Sequence, residues 1–290
     1  MTLAPGQAGE GFALDNQVRI ALEGFQGTVS IFAKNLDTGA TYALRADERV
    51  RTASTIKLAI LAAAFKAVAE GKVKWTDLST LYEADKVSGS GVLGNEFSDG
   101  DQLPLIDLVH LMIVVSDNTA TNLVLDRITA DYVNDYMDQL GLKQTRSMRK
   151  IRGDGANLKA AAGFSKAGRD PANQRFGLGS TTPREMVALI EKMERGEVVS
   201  ADASREMIKI LKRQQDHNGI ARRMGETPVA NKAGALDHLR SDVGIVYSKG
   251  GRIAIAITCD EIPTVDWSSD NPGLLMIAKL SEILVTGLAK

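Results

Sequence analysis

Apolar residues recur at helical spacing near the start of the chain, and two short β-branched and aromatic runs follow them. The helical stripe covers Leu14–Phe25, and the runs are Thr28–Ala33 and Thr41–Leu44, separated by the turn Leu36–Gly39. A stripe repeating every three to four residues predicts a helix, and two runs around a Gly-containing turn predict a β-hairpin. We therefore expect the chain to begin with a helix followed by two paired strands.

The middle of the chain has a different pattern, rich in Ala and Leu and poor in β-branched residues, which favours helix. A further helix is predicted to begin at Pro183, with Thr182 as its N-cap and Glu185 in its first turn. The other helices are predicted over Lys57–Gly71, Leu105–Val115, Ala120–Ile128, Tyr132–Leu140 and Ser200–Gln214. The middle of the chain is therefore predicted to be all-helical.

Strand patterns return after Pro228, and the chain closes with a predicted helix. The strands are predicted over Val229–Gly234, Asp242–Ser248 and Arg252–Cys259, and the helix over Asn271–Leu288. The predicted fold class is α/β: an antiparallel sheet flanked by the terminal helices, with an all-helical subdomain inserted. The α/β subdomain is predicted over 14–50 and 215–290, and the helical subdomain over 51–214. The latter includes a long loop, 146–180, with eight basic and two acidic residues.

Composition narrows the classes of function. The 290 residues carry 35 Lys and Arg against 36 Asp and Glu, and this near-zero net charge argues against a nucleic-acid partner. The single cysteine, Cys259, excludes an internal disulfide and a Cys-rich metal site. Three histidines without a metal-binding spacing argue against a histidine metal site, so no metal and no cofactor are expected.

The sequence does not decide in which cellular compartment the protein resides. No apolar run approaches the roughly 18 residues of a membrane-spanning helix, so no membrane span is expected. The first 13 residues have neither a basic start nor an apolar stretch, unlike a signal peptide. Two readings remain: a cytoplasmic protein, or one whose signal peptide has been removed.

Three short motifs carry candidate chemistry, and the first is S-x-x-K at Ser54–Lys57. Residues three apart on a helix share a face, so a desolvated lysine can serve as base for a serine nucleophile. The alternative is an N-capping serine beside a solvated lysine. Ser147–Lys150 has the same spacing, but in a less structured context.

The second motif is S-D-N at Ser116–Asn118, and the third is K-x-G at Lys232–Gly234. A serine between helices can relay a proton, and an amide can bind a substrate carbonyl. A lysine beside Gly can approach a carboxylate closely. The alternatives are a polar helix–helix turn and an ordinary strand end, and further copies occur at Ser269–Asn271, Lys166–Gly168 and Lys249–Gly251.

Only one choice of motifs gives the order S-x-x-K at a helix start, S-D-N between helices and K-x-G on a strand. With its three motifs in that order, the sequence resembles the class A serine β-lactamase family over nearly its whole length. Leu111–Asn122 resembles the family's helix leading through S-D-N, Thr181–Pro183 its T-T-P, and Ser90–Leu93 the rim of its pocket. The resemblance implies an active site between an α/β unit and an inserted helical unit.

The resemblance also implies a role for each motif residue. Ser54 would attack the acyl carbonyl, Lys57 would be a base or proton relay, and Ser116 would protonate the leaving nitrogen. Asn118 would bind the substrate amide, while Lys232, with the neighbouring Ala233 and Gly234, would hold the substrate carboxylate. The backbone N–H groups of Ser54 and Ala235 would form the oxyanion hole. The substrate would be a β-lactam antibiotic and the location periplasmic or secreted, with a cytoplasmic one still open.

Two departures from the family affect turnover and binding. The family's E-x-x-L-N glutamate, which activates the deacylating water, falls at Ile151 counting forward from Thr145 and at Lys166 counting back from Pro183. Neither is acidic, and Asp154 is the one nearby substitute. Ala233 also lacks the hydroxyl that helps bind the carboxylate, a hydrogen bond worth about 1.5–3 kcal/mol. Arg240 is a candidate replacement anchor, with a surface charge as the alternative.

Three hypotheses follow. The first is a serine acyl-enzyme hydrolase that opens β-lactams through Ser54 and deacylates slowly. The second is a D-Ala-D-Ala peptidase or esterase on the same fold, or a penicillin-binding protein with little turnover. The third is a non-catalytic protein that traps acyl ligands and contacts a partner through loop 146–180.

Overall fold

The computed structural model describes residues 5–153 and 163–289. These residues form two compact units. The first consists of the described residues up to Val50, Thr182–Glu191 and the described residues from His217 onward; the second consists of Arg51–Thr181 and Lys192–Asp216. Residues 182–191 thus lie with the first unit, whereas the sequence division assigned them to the helical subdomain.

The helices, in chain order, are α1 Pro5–Leu22, α2 Lys57–Ala69, α3 Leu93–Glu96, α4 Leu105–Val114, α5 Asn118–Ile128, α6 Ala130–Gln139, α7 Lys166–Arg169, α8 Pro183–Glu194, α9 Ala201–Leu211 and α10 Pro272–Leu288. The strands are β1 Thr28–Asn35, β2 Thr41–Leu44, β3 Val50–Arg51, β4 Leu78–Thr80, β5 Gln102–Pro104, β6 Arg146–Ser147, β7 Gly179–Thr181, β8 Val229–Leu236, β9 Leu239–Ser248 and β10 Gly251–Asp260.

The first unit contains a five-stranded sheet in the order β2-β1-β10-β9-β8, and every neighbouring pair is antiparallel. β1 and β2 are joined by the predicted tight turn, in which Gly39 has a φ of +81° that disfavours a side chain. β9 and β10 are joined by the turn at Lys249–Gly250. The order places β8, which carries the K-x-G motif, at one edge of the sheet and β2 at the other.

Helices α1 and α10 pack on this sheet and close its apolar core. Val18 of α1 and Ile277 of α10 are fully buried against strand residues such as Ile31 and Ile255. Burying a side chain of this size contributes about 1.5–3 kcal/mol, so the β-branched strands and the two apolar helix faces hold the unit together. The predicted α/β class, an antiparallel sheet flanked by the terminal helices, is confirmed.

In the second unit, α2 is a central helix whose residues Lys57–Phe65 are all buried. It contacts α4, α5, α6 and α9. Its side chains are mostly Ala, Leu and Ile, and small side chains let neighbouring helices approach on every side. A helix buried all round has a fixed position, so the residue at its first position, Lys57, is fixed as well.

The segment predicted as one long loop, 146–180, contains short elements among its described residues. These are β6, α7, the 3₁₀ turn Pro171–Phe176 and β7, and β6 pairs antiparallel with β7. The long loop predicted over 146–180 therefore contains regular structure among these residues, and its two ends, β6 and β7, hydrogen-bond to each other. No described helix is long and apolar enough to cross a membrane.

Candidate active site

Ser54 lies in the 3₁₀ turn Ala53–Ile56, directly before α2. The expectation that it occupies the first turn of the α-helix itself is thus wrong by a few residues. The reason is local: Ala53 has a φ of +47°, and the Lys57 N–H donates to the Ser54 carbonyl three residues back. A left-handed backbone at a non-glycine residue is strained, and such strain concentrates at functional sites.

The Lys57 side chain is fully buried and hydrogen-bonded to residues of the second motif. Its ammonium donates to the Ser116 carbonyl at 2.7 Å, to Ser116 Oγ at 3.1 Å and to Asn118 Oδ1 at 3.0 Å. These acceptors stabilise a charge that would otherwise be costly to bury. The alternative of a solvated lysine is wrong, and the structure brings the first two motifs together.

Ser116 and Asn118 are held at the start of α5. Ser116 has a φ of +56°, which turns the chain sharply between α4 and α5. Asp117 is the N-cap of α5, and its Oδ1 accepts from the Ala120 N–H at 2.8 Å. The N-cap alternative therefore holds for Asp117, while its two neighbours are directed to Lys57.

Asp117 also anchors the segment Ser90–Leu93, which the sequence resemblance placed at the pocket rim. Its Oδ2 accepts from the N–H groups of Val92 at 2.7 Å and Leu93 at 2.8 Å. Two glycines make this packing possible, since a Cβ on Gly91 would lie 2.3 Å from Asp117 Oδ2 and one on Gly89 2.7 Å from Asn118 Nδ2. Sequence reasoning missed this role of Asp117.

Asn122, one helical turn after Asn118 on α5, fixes the backbone of Ile151. Its Nδ2 donates to the Ile151 carbonyl and its Oδ1 accepts from the Ile151 N–H, each at 2.8 Å. Residues four apart share a helix face, so Ile151 is tied to the face that carries Asn118. Asn122 was also missed, although its spacing from Asn118 was a usable signal.

Lys166, the other position suggested for the family's glutamate, lies beside α6. Lys166 begins α7, its side chain is exposed, and its N–H donates to Asp131 Oδ1 on α6 at 2.7 Å. Because Ile151 is hydrogen-bonded to Asn122 on α5, its position favours Ile151, reached by counting forward from Thr145, as the equivalent of the family's glutamate. Asp154, the suggested substitute, lies outside the described residues.

The residues flanking Ile151 are basic. Lys150 forms an ion pair with Asp126 on α5. Burial, with a smaller contribution from Arg152, lowers the pKa of Arg149. Neither position offers a carboxylate in place of the missing glutamate.

In the first unit, the K-x-G motif lies on the edge strand β8. Lys232 is 1% exposed, and its ammonium donates to the Ala233 carbonyl at 2.7 Å. Gly234 pairs with Ser241 on β9, and the half-buried Ala235 pairs with Arg240. The motif thus lies on a regular strand, as its pattern predicted.

A buried polar pair lies beside this motif. Asp242, opposite Ala233 on β9, accepts from Asn231 Nδ2 at 3.0 Å and from the Ile220 N–H at 2.9 Å. Asp242 and Asn231 are both almost fully buried. Because this pair joins the residue before Lys232 to β9, it fixes the strand that carries the motif, a role that the sequence did not indicate.

Arg240, the suggested carboxylate anchor, is 2% exposed. Its guanidinium donates to the Leu236 carbonyl at 2.5 Å, to the Leu239 carbonyl at 2.7 Å and to the Asp266 carbonyl. It also stacks on Trp267, with 4.7 Å between the guanidinium carbon and the ring centroid. The alternative of a surface charge does not hold, and these contacts favour a role in shaping the end of the β8–β9 hairpin.

The further copies of the motifs occupy structural places. Ser147 is buried on β6, and Asn271 is the N-cap of α10. Lys166–Gly168 belongs to the short helix α7, and Lys249–Gly251 lies at the β9–β10 turn. Among the described residues, no group of three or more His, Cys, Asp and Glu side chains is arranged to hold a metal ion.

Known proteins share this fold. The structure of a β-lactamase from Sphaerobacter thermophilus matches at 29% identity and a TM-score of 0.80, covering 95% of this chain and 96% of that one. A leucine-to-glutamate mutant of PBP-A, solved as an acyl-enzyme complex with penicillin G, matches at 25% identity and a TM-score of 0.77 over 94% of both chains.

In sequence, the chain is 27% identical to the β-lactamase SME-1 of Serratia marcescens over 115 residues, which is 40% of this chain and 38% of that protein. The model of the β-lactamase enzyme family matches residues 13–288. The chain therefore belongs to the β-lactamase enzyme family and is a serine hydrolase.

Proposed function

We propose that this enzyme opens β-lactam amides through Ser54 and releases the resulting acyl group slowly. The observation that supports acylation is the buried Lys57 ammonium, hydrogen-bonded to both Ser116 Oγ and Asn118 Oδ1. This arrangement provides a proton path between two hydroxyls, and an amide beside it for substrate binding.

In the proposed reaction, Ser54 Oγ attacks the lactam carbonyl carbon and the carbon–nitrogen bond breaks. The proton of the Ser54 hydroxyl passes to Lys57 in its neutral form, and the leaving nitrogen takes a proton from Ser116 Oγ. Lys57, 3.1 Å from that oxygen, then reprotonates Ser116. Asn118 binds the substrate amide, and the backbone N–H groups of Ser54 and Ala235 stabilise the oxyanion.

The carboxylate of the β-lactam is proposed to be held by Lys232, with Gly234 allowing close approach of the backbone. Ala233 offers no hydroxyl, so one hydrogen bond to the carboxylate is lost. Arg240 stays a weaker candidate for this role because three backbone carbonyls accept its N–H groups.

Slow deacylation is proposed because Ile151 occupies the position tied to the Asn118 face of α5 by Asn122. An aliphatic side chain cannot take a proton from water, so the step that hydrolyses the ester lacks its general base. PBP-A, which was solved as a penicillin G acyl-enzyme after a leucine was replaced by glutamate, makes penicillin G the natural probe.

The test is incubation with penicillin G followed by intact-mass measurement and by absorbance of the lactam. Wild type should gain one penicillin adduct that persists after excess penicillin is removed. The S54A variant should gain none, and S147A, changed at the other S-x-x-K serine, should behave as wild type. Absence of both adduct and turnover would refute acylation, and rapid turnover without an adduct would refute slow deacylation.

A second candidate is a D-Ala-D-Ala peptidase or esterase. The same missing base supports it, since penicillin-binding proteins also lack that glutamate. Steady-state hydrolysis of an acyl-D-Ala-D-Ala peptide and of its thioester analogue, compared with penicillin G, separates the two. Turnover of the peptide or ester well above that of penicillin G favours the second candidate. Either activity accords with a periplasmic or secreted location.

A further inference from the structure

A cavity of about 440 Å³ lies in the first unit, between the end of α1 and the strands β1 and β2. β2 is the edge strand opposite β8, so the width of the sheet separates this cavity from the K-x-G motif. Its volume falls within the roughly 300–1,000 Å³ of pockets that hold small ligands. The cavity is therefore a candidate binding site that the proposed reaction does not use.

The inner wall of the cavity is apolar. It consists of Leu22, Phe25, Val29, Tyr42 and Leu44. Val29 and Tyr42 are buried, whereas the other three side chains are only half-buried. The Phe25 N–H donates to the Leu22 carbonyl at 3.1 Å, which fixes the chain where it leaves α1. A ligand that covers the half-buried side chains removes apolar surface from water, which favours binding in proportion to the area covered.

Part of the polar rim is satisfied within the protein. Asp15 Oδ2 accepts from Arg19 Nε at 2.7 Å, and Asp15 Oδ1 accepts from the Tyr42 hydroxyl at 3.2 Å. The hydrogen bond from Arg19 lowers the pKa of Asp15, and burial, together with the charge of Asp15, raises the pKa of Tyr42 to about 12. At neutral pH Asp15 is thus ionised and Tyr42 protonated, so these three side chains pair with one another.

Two further charged residues border the cavity, one acidic and one basic. Glu23 directly follows α1 and Arg45 directly follows β2, and both are exposed. Among the described residues neither forms an ion pair, and the one acceptor of the Arg45 guanidinium is the Val29 carbonyl, at 3.4 Å. Arg45 also has a φ of +50°, and such strain at a non-glycine residue concentrates at functional sites. The rim therefore presents opposite charges to a ligand.

We propose that this cavity binds a zwitterionic dipeptide with an apolar side chain. The Arg45 guanidinium binds the peptide carboxylate, and the Glu23 carboxylate binds the ammonium group. The apolar side chain lies against the half-buried wall of Leu22, Phe25 and Leu44. A dipeptide is favoured over a free amino acid because the volume is that of a pocket for a drug-sized ligand.

The test is a titration of the isotope-labelled full chain with phenylalanyl-alanine, followed through backbone amide shifts in NMR spectra. Saturable shifts are expected at residues that border the cavity, such as Gly27 and Leu44. Glycyl-glycine, which has no apolar side chain, should bind at least about tenfold more weakly. The C-terminal amide and the N-acetyl form of phenylalanyl-alanine each lack one charge. Both should bind about twofold to fivefold more weakly, the range for one exposed ion pair.

Variants assign each charge of the dipeptide to one residue. R45Q should weaken binding of phenylalanyl-alanine by about twofold to fivefold and leave binding of its C-terminal amide unchanged. E23Q should weaken the dipeptide by the same factor and leave the N-acetyl form unchanged. The matched controls are R223Q and E226Q, which change exposed residues elsewhere on the first unit and should bind as wild type does. Equal losses for the charged and the modified ligand would overturn the assignment.

Three results would overturn the proposal as a whole. They are the absence of a saturable shift, equal binding of glycyl-glycine, and shifts confined to the segments around Lys57 and Lys232, which would place the dipeptide at the candidate active site. Because the ligands are compared on the wild-type chain, the test stands even where a variant fails to fold. Acylation by penicillin G is a separate measurement, so either proposal can fail without the other.

Discussion

The side-chain amide of Asn122 and the backbone of Ile151 are joined by two hydrogen bonds, each 2.8 Å long. Because Asn122 lies one turn beyond Asn118 on α5, this pair of bonds fixes an aliphatic residue against the helix that carries Asn118. The relationship supports the proposal that Ile151, rather than Lys166, is the position at which a base would act on the acyl group.

Replacing Ile151 by glutamate should therefore create a deacylating base. The half-life of the penicillin G adduct in I151E, followed by intact mass after removal of free penicillin, should fall at least about tenfold. K166E is the matched control, because it places the same carboxylate at the other counted position, and its adduct should persist as in wild type. A shorter half-life in K166E than in I151E would contradict this assignment.

Replacing Lys57 by methionine should abolish the proton path while keeping a long, unbranched side chain. Acylation by penicillin G should slow by about 10²- to 10⁴-fold, the range for a positioned acid–base group. K66M removes a lysine from the same helix, where Lys66 pairs with Glu70 and is partly exposed, and should acylate normally. Acylation of K57M at close to the wild-type rate would refute the role of Lys57, provided that its thermal unfolding is cooperative.

Replacing Gly91 by alanine should destabilise the second unit. Its φ of +119° and the 2.3 Å approach of a Cβ to Asp117 Oδ2 combine backbone strain with a steric clash. The free energy of unfolding should fall by about 2 kcal/mol or more in chemical denaturation. Gly39 also has a positive φ, but nothing lies within 4 Å of its Cβ position, so G39A should cost about 1 kcal/mol. Equal effects of the two substitutions would refute the clash.

Glu70 should contribute stability that depends on pH. Hydrogen bonds from Lys72, Tyr132 and Lys66 lower the pKa of its carboxyl from 4.5 to about 2. A carboxyl whose pKa is lowered on folding stabilises the protein above its unfolded pKa, and this contribution is lost as pH falls through the folded value. E70Q should lower the melting temperature at pH 7, and the difference from wild type should shrink between pH 4.5 and about 2. A difference that is constant over this window would contradict the shift.

Much of the fold was predictable because its signals are local. The Ala- and Leu-rich run beginning at Lys57, the paired runs Thr28–Ala33 and Thr41–Leu44, and the strands after Pro228 each follow from side-chain periodicity and turn residues. The structure has these elements within a few residues of the predicted bounds. The short pieces in 146–180 were not predictable, since β6 and β7 pair over more than thirty intervening residues.

By itself, the sequence determined the order of three motifs and hence the residue types available for acyl transfer. Only the tertiary structure decided which copies of the first two motifs lie together. Lys57 is buried and directed to Ser116 and Asn118, whereas Ser147 is buried on a strand and Lys150 pairs with Asp126. The physical reason is that motif spacing fixes neighbours along the chain, while desolvation and hydrogen-bond partners depend on residues that approach from distant segments. The same holds for Arg240, whose burial under Trp267 no local pattern indicates.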